Sequence, residues 1–229
     1  MVLSLRMGWR NVLFANWPVD PAVVDAHVPD TLTVDTCDGR AWLSVVPFTN
    51  VDVRPRRCPA GTGVALPELN LRTYVTRDGT PGVYFFSLDA DGLAAVCGAR
   101  LFHHLPYYYA RITLTGADGR VRFRSRRRHP GARPVRFAAR YGPVGDRLSA
   151  EDALARFLTE RYRYYTESPA GDLRYADVDH EPWPLYEGEI EVEENGLFAA
   201  NGFAVPDGDP VTLYSPGVET VASASKRAE

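Results

Sequence analysis

Lysine is nearly absent from this chain: Lys226 is the single one in 229 residues, and the other 25 basic side chains are arginines. That removes the commonest amine nucleophile, so imine chemistry is not expected. Glycine-rich phosphate loops, zinc-ligand spacings and a GxSxG element are missing too, which argues against nucleotide-dependent or serine-hydrolase chemistry. The three cysteines, Cys37, Cys58 and Cys97, form an odd set without ligand spacing. They imply reduced thiols in a cytoplasmic setting, with no metal, no cofactor and no disulfide needed for folding. No long apolar run exists either, because Met1 to Trp17 is broken by Arg6, Arg10, Asn11 and Asn16. It reads as neither a signal peptide nor a membrane span, and no membrane partner is expected.

What is present describes one folded unit. A chain of this length with 45% hydrophobic residues can bury a single sizeable core. Residues 1–217 are expected to form that domain, while the polar stretch 218–229 is expected to fray. The net charge of −3 coexists with a row of arginines, in which Arg120, Arg122, Arg124 and Arg126 alternate with Val121, Phe123 and Ser125. Glu189, Glu191 and Glu193 alternate in the same way, so the two rows predict a solvated ionic ladder across neighbouring strands. The rival reading is an interaction protein that uses the Arg120–Arg128 stripe. Nucleic acid is not expected as its partner, given the negative net charge and the lack of a recognised binding module. Homo-oligomerisation stays open.

Turn signals at Asp38-Gly39, Asp78-Gly79 and Asp118-Gly119 each separate β-prone runs. They predict three hairpins: Thr31 to Thr36 with Ala41 to Val46, Leu69 to Thr76 with Val83 to Leu88, and Tyr107 to Thr115 with Arg120 to Ser125. Helices are few. Asp20-Pro21 starts a short one, Asp91 is placed to cap a second through Cys97, and the longest is expected to begin at Ser149 and run towards Ser168-Pro169. The fold class is therefore α+β, with a mostly antiparallel sheet and a few outer helices.

Strand parity groups the polar residues. Glu68, Asn70, Arg72 and Tyr74 share one face, while Leu69, Leu71 and Val75 take the other. That polar face suits either a solvated surface or the lining of a cavity. In a cavity the carboxylate and guanidinium must be paired or ligand-bound, with Glu68 next to Arg72 or Arg10 the expected pairing. In the run FHHLPYYYARI, Tyr107 shares a face with Tyr109 and Arg111, whereas Tyr108 sides with Ala110, Ile112 and Leu114 and is assigned to the core. Tyr107 is the better hydrogen-bond donor to a ligand. Of the adjacent histidines, His104 is the one assigned to a ligand, since it precedes the proline where the strand bends. Trp183, within the proline-rich HEPWPL loop, either lids a pocket or closes the core.

Two segments carry a family resemblance. Trp9 to Asp35 (WRNVLFANWPVDPAVVDAHVPDTLTVD) and Val83 to Ile112 (VYFFSLDADGLAAVCGARLFHHLPYYYARI) resemble the acetoacetate decarboxylase-like superfamily. With FLTERYRYYT and HEPWPL added, the chain is more similar to its uncharacterised YqjF-like branch, a domain of unknown function. The resemblance implies a mostly antiparallel β-sheet curled into a barrel or cone around an inner cavity, in which Arg10 is the substrate-facing arginine and Glu68 one of the acidic residues. It also implies that Tyr107 and Tyr108 stand where the decarboxylases carry their lysine pair. The expected function is binding of a small organic anion or keto acid, and turnover without an imine. Glu68 and Tyr107 are the candidate catalytic residues, with Arg10, Asn70, Arg72, His104 and Trp183 as substrate-binding ones. A non-catalytic ligand-binding or sensory module remains the alternative.

Overall fold

The computed structural model describes residues 4–117, 119–149 and 151–228. Among them the chain forms β1 (Leu5–Val19), α1 (Pro21–Asp25), β2 (Thr33–Val34), β3 (Ala41–Pro55), β4 (Val64–Arg77) and β5 (Thr80–Ala90). There follow α2 (Leu93–His103), β6 (Tyr107–Ala117), β7 (Arg120–Arg127), β8 (Arg136–Arg147), α3 (Ala153–Thr159), β9 (Arg163–Glu167) and β10 (Leu173–His180). The last elements are β11 (Tyr186–Asn195), α4 (Leu197–Ala200), β12 (Val211–Ala222) and β13 (Lys226–Arg227). No helix among the described residues is long and apolar enough to cross a membrane.

The strands join in one mostly antiparallel sheet that curls back on itself. Two contacts are parallel, and both involve β5: its start pairs with β9 and its end with β6. Because β4 also pairs with β5, and β10 also with β12, the ladder closes twice. One ring runs through β6, β7, β8 and β11, the other through β9 and β10. The strands β12, β1, β3, β4 and β5 form the wall that the two rings share.

A shared wall explains the two cores. Side chains alternate across a strand, so Leu13, Leu43, Leu69 and Leu71 enter one apolar cluster with Phe123 and Phe137. Phe14, Val46, Phe48 and Tyr74 enter the other, with Tyr164, Val178 and Trp183. The second chamber holds the cavity described below.

Turn chemistry sets the hairpin between β4 and β5. Asp78 and Gly79 have φ of 49° and 74°, the positive pair that a two-residue type I′ turn requires. The third expected hairpin forms between β6 and β7, with Leu114 opposite Phe123 and Ile112 opposite Ser125, although Asp118 of its turn lies outside the described residues. The first does not form as expected. Thr33–Val34 pairs with Thr76 and Val75 of β4, and only an isolated bridge, Cys37 to Arg40, spans the Asp38-Gly39 turn.

The helices depart further from expectation. Asp20 caps α1 by accepting from the Ala22 amide at 2.9 Å, but Asp91 does not cap α2. Its Oδ2 accepts instead from the Ile112 amide at 3.1 Å, tying the helix entry to β6. The expected long helix from Ser149 shrinks to α3, capped by Asp152 through the Ala155 amide at 2.8 Å. After Thr159 the run Arg163–Glu167 is taken by the sheet, where Tyr164 and Tyr165 pair alongside β5. A tertiary demand overrides the helical pattern there. Residues 218–228 are not frayed: β12 continues to Ala222, Ser225 is buried, and Lys226-Arg227 pair with β10.

Candidate functional site

The second chamber encloses a cavity of about 150 Å³, lined mainly by aromatic and aliphatic side chains. One face of β4 supplies three of its polar groups. Glu68, Asn70 and Arg72 all line it, as their common parity requires, and Glu68 and Asn70 are each only 3% exposed. The period-2 pattern thus leads inward here, not to solvent.

Glu68 sits in a hydrogen-bond cluster without a cation. The Tyr107 hydroxyl donates to its Oε2 at 2.7 Å, and Asn50 Nδ2 donates to the same atom at 3.0 Å. Trp9 Nε1 in turn donates to Asn50 Oδ1 at 2.8 Å, which fixes the orientation of that amide. Burial dominates over these hydrogen bonds and pushes the Glu68 carboxyl up to about 7. Burial also raises the Tyr107 phenol well above its ordinary value, and the Glu68 charge raises it further. The pair can therefore hold or release a proton near neutrality at Glu68, with Tyr107 acting as a donor only.

Three arginines line the chamber, and two are neutralised. Arg161 meets Asp35 at 2.6 Å and Arg163 meets Asp177 at 2.6 Å. Arg72 has no carboxylate within 4.0 Å among the described residues. Its Nη2 donates to the Leu158 carbonyl at 3.1 Å, its guanidinium lies 5.3 Å from the Phe14 ring centroid, and its Nε is buried with no partner. Asn70 Oδ1 is likewise buried and unpartnered.

Arg10 is not brought to this cavity. Trp9 points inward, so the next residue points out, and the irregularity at Asn11, with φ of 52°, restores Val12 and Phe14 to the chamber. The Arg10 guanidinium pairs with Glu219 and also donates to the Trp9 and Val218 carbonyls. The expected pairing of Glu68 with Arg72 or Arg10 is absent: the hydrogen-bond cluster replaces it. His104 is also elsewhere. The helix α2 runs on to His103, and His104 caps it in the left-handed conformation at φ 55°. His103 enters the cavity instead, where its Nδ1 lies 2.8 Å from the Tyr164 hydroxyl. Burial lowers its pKa, which favours a neutral imidazole.

Trp183 both closes the core and lines the cavity. It stacks on Trp9 at 5.6 Å with an interplanar angle of 7°, and its Nε1 donates to the Thr159 carbonyl at 3.1 Å. Tyr108 is not the core residue the parity suggested. It lies half-buried beneath the Arg127 guanidinium, 4.0 Å from its ring centroid, and Arg127 is paired with buried Asp89 at 2.7 Å. Sequence reasoning missed Trp9, Asn50, His103 and Tyr164. The first had a signal, since Trp9 shares parity with Met7; Asn50 and Tyr164 are placed by strand pairings that no local pattern announces.

The arginine row lies apart from the cavity and meets the glutamates across β8. Arg120 pairs with Glu189, Arg124 lies 2.9 Å from Glu193, and Arg140 of β8 joins both Glu191 and Glu193.

The fold is that of the acetoacetate decarboxylase-like proteins. The enduracididine biosynthesis enzyme MppR superposes with a TM-score of 0.70 at 13% identity, covering all of this chain and 89% of that one. Acetoacetate decarboxylase from Legionella pneumophila gives 0.67 at 15% identity, covering 98% and 87%. An acetoacetate decarboxylase-like enzyme from Sphingomonas wittichii RW1 also gives 0.67, at 20% identity, covering 100% and 94%. Residues 6–219 match the family model DUF2071, described as an uncharacterized conserved protein, and the chain belongs to that family. It is 44% identical over 213 residues to the uncharacterized protein YqjF of Bacillus subtilis (strain 168), covering 92% of this chain and 87% of that protein.

Proposed function

We propose that the second chamber binds a small organic carboxylate, keto acids included, with Arg72 as its anion partner and Glu68 as the group that takes up or returns a proton. The observation that carries this reading is that an uncompensated guanidinium and a carboxyl raised to about 7 stand four residues apart on the same face of one strand. Arg72 takes the role that the family resemblance implied for Arg10. Tyr107 supplies a hydrogen bond and no covalent chemistry, so any turnover proceeds by proton transfer without an imine. That neighbours of this fold are described with pyruvate bound or as decarboxylases supports the ligand class. The paired state of Arg120, Arg122 and Arg124 weakens the rival interaction role of that stripe. We also place the protein in the cytoplasm, consistent with three cysteines that form no disulfide.

A thermal-shift panel of short carboxylates and oxo acids tests the reading. A ligand at 100 times its Kd adds about 2.7 kcal/mol, which raises Tm by several degrees. Arg72→Gln should remove that shift, whereas Arg10→Ala should keep it and change the unliganded stability by no more than about 1 kcal/mol. Deuterium uptake at C3 of 2-oxobutanoate, lost in Glu68→Gln, separates turnover from simple binding. A shift that depends on Arg10 and not on Arg72 would overturn the assignment.

A further inference from the structure

We propose that the preferred ligand of this cavity is a hydroxycarboxylate, not the corresponding oxo acid. The inference rests on the carboxylate reading above and narrows it through Asn70. Residues at alternate positions of a strand recur about every 6.6 to 6.8 Å, so Glu68, Asn70 and Arg72 present three polar groups in a row to anything lying along β4. The middle one decides the ligand's chemistry. Asn70 is 97% buried, its amide helps to hold the Glu68 pKa down, and its Oδ1 is left with no partner. A carboxylate accepts, so the amide nitrogen faces Glu68 and the free end is the acceptor.

An acceptor in that position requires a donor. A ligand carbonyl is itself an acceptor and would leave Asn70 Oδ1 unpaired while displacing any water that had served it, a loss that buried polar groups make costly. A hydroxyl at the same carbon donates and removes that cost. The neighbouring group fits the other end of such a molecule. Arg72 offers a buried Nε without a partner, and its guanidinium is held in place by the Leu158 carbonyl and the Phe14 ring. A carboxylate at Arg72 and a hydroxyl on the second or third carbon match in chemistry the two orphaned atoms, which belong to neighbouring positions on one strand face. The remaining carbons meet Val46, Phe48, Trp9 and Trp183, which line the cavity and offer no further donors to an alkyl chain except through groups already bonded.

Calorimetric titration of two matched pairs tests this: 2-hydroxybutanoate against 2-oxobutanoate, and 3-hydroxybutanoate against 3-oxobutanoate, each hydroxy acid as both enantiomers. In at least one pair a hydroxy acid should bind about tenfold tighter or more, as expected when a site's buried acceptor is otherwise left unpaired. Asn70→Leu should bring each hydroxy acid down to the affinity of its oxo partner. The wild-type pairs decide the matter even if that variant does not fold. Equal or tighter binding of both oxo acids overturns the hydroxyl preference and leaves the carboxylate reading standing. Binding of neither class at millimolar concentration overturns both.

Discussion

Glu68 is the residue whose ionisation couples the site to the stability of the chain. A carboxyl whose pKa rises on folding holds its proton more tightly in the folded state, so stability falls as pH increases from the ordinary value of 4.5 to about 7 and levels off above. The span corresponds to a cost on the order of 3 kcal/mol at alkaline pH. Glu68→Gln should therefore stabilise the protein above pH 7 relative to wild type and have little effect below pH 4.5. Asp89, raised to about 6 by burial against the pull of Arg127, adds a loss of the same sign that ends earlier. His103 acts oppositely, because its lowered pKa favours folding as pH rises through its ordinary value of 6.5. Neither changes in the variant. Chemical denaturation of both proteins across pH 4 to 9 isolates Glu68, and parallel curves would show that it does not titrate in this range. At this scale the sequence was informative wherever a strand was long and regular: the common face of Glu68, Asn70 and Arg72 follows from period 2 alone. His104 was singled out by its place before the proline, but α2 reaches His103 and puts it inside while turning His104 away.

Elements carry constraints that single residues do not reveal. The edge of β1 near Trp9 and Arg10 is pressed against β12, where Gly217 has φ of 134° and a Cβ would fall 1.8 Å from the Trp9 carbonyl oxygen. No side chain fits without moving one of the two wall strands. Gly217→Ala should cost roughly 3 kcal/mol or more, through backbone strain and steric conflict together. Circular dichroism melting checks it, and a loss under 1 kcal/mol would mean that β12 can shift. Helix ends and cap residues were the least legible elements. The pattern Leu154, Phe157, Leu158 and Tyr162 reads as one helical face, yet Arg163–Glu167 gains more by completing the sheet beside β5 and β10. Local propensity yields where a strand is needed to close a ring. The ionic rows were legible because alternation is a property of each strand by itself, and both strands flank β8.

For the molecule as a whole, the α+β class follows from spaced turn signals and the curled sheet from the family resemblance, but the double closure follows from neither. It depends on β10 and β11 both meeting β12 and on β9 meeting β5, contacts between segments that no local pattern links. The closure also explains the placement of the only lysine. Lys226 is carried by β13 on the outer side of β10, where its Nζ lies 3.8 Å from Asp177 and 5.7 Å from the Tyr175 ring centroid. Ala176 and Val178 of the same strand face the chamber, so Lys226 faces away from it. Borohydride reduction in the presence of an oxo acid should leave the intact mass unchanged. A single adduct whose formation Arg72→Gln prevents would reopen amine chemistry at the cavity.

The wall shared by β12, β1, β3, β4 and β5 also limits how such a chain can diverge. Inserting or deleting one residue within a wall strand would exchange the contents of the two chambers beyond that point, exposing polar groups to one core and emptying the other. Drift in length is thereby confined to the turns and to strands outside the wall, unless an irregularity such as that at Asn11 absorbs it. Replacement of one side chain by another meets no such barrier. Relatives should then keep the spacing from Glu68 to Arg72 while varying what stands at Tyr107, so new chemistry enters this architecture by substitution at fixed addresses.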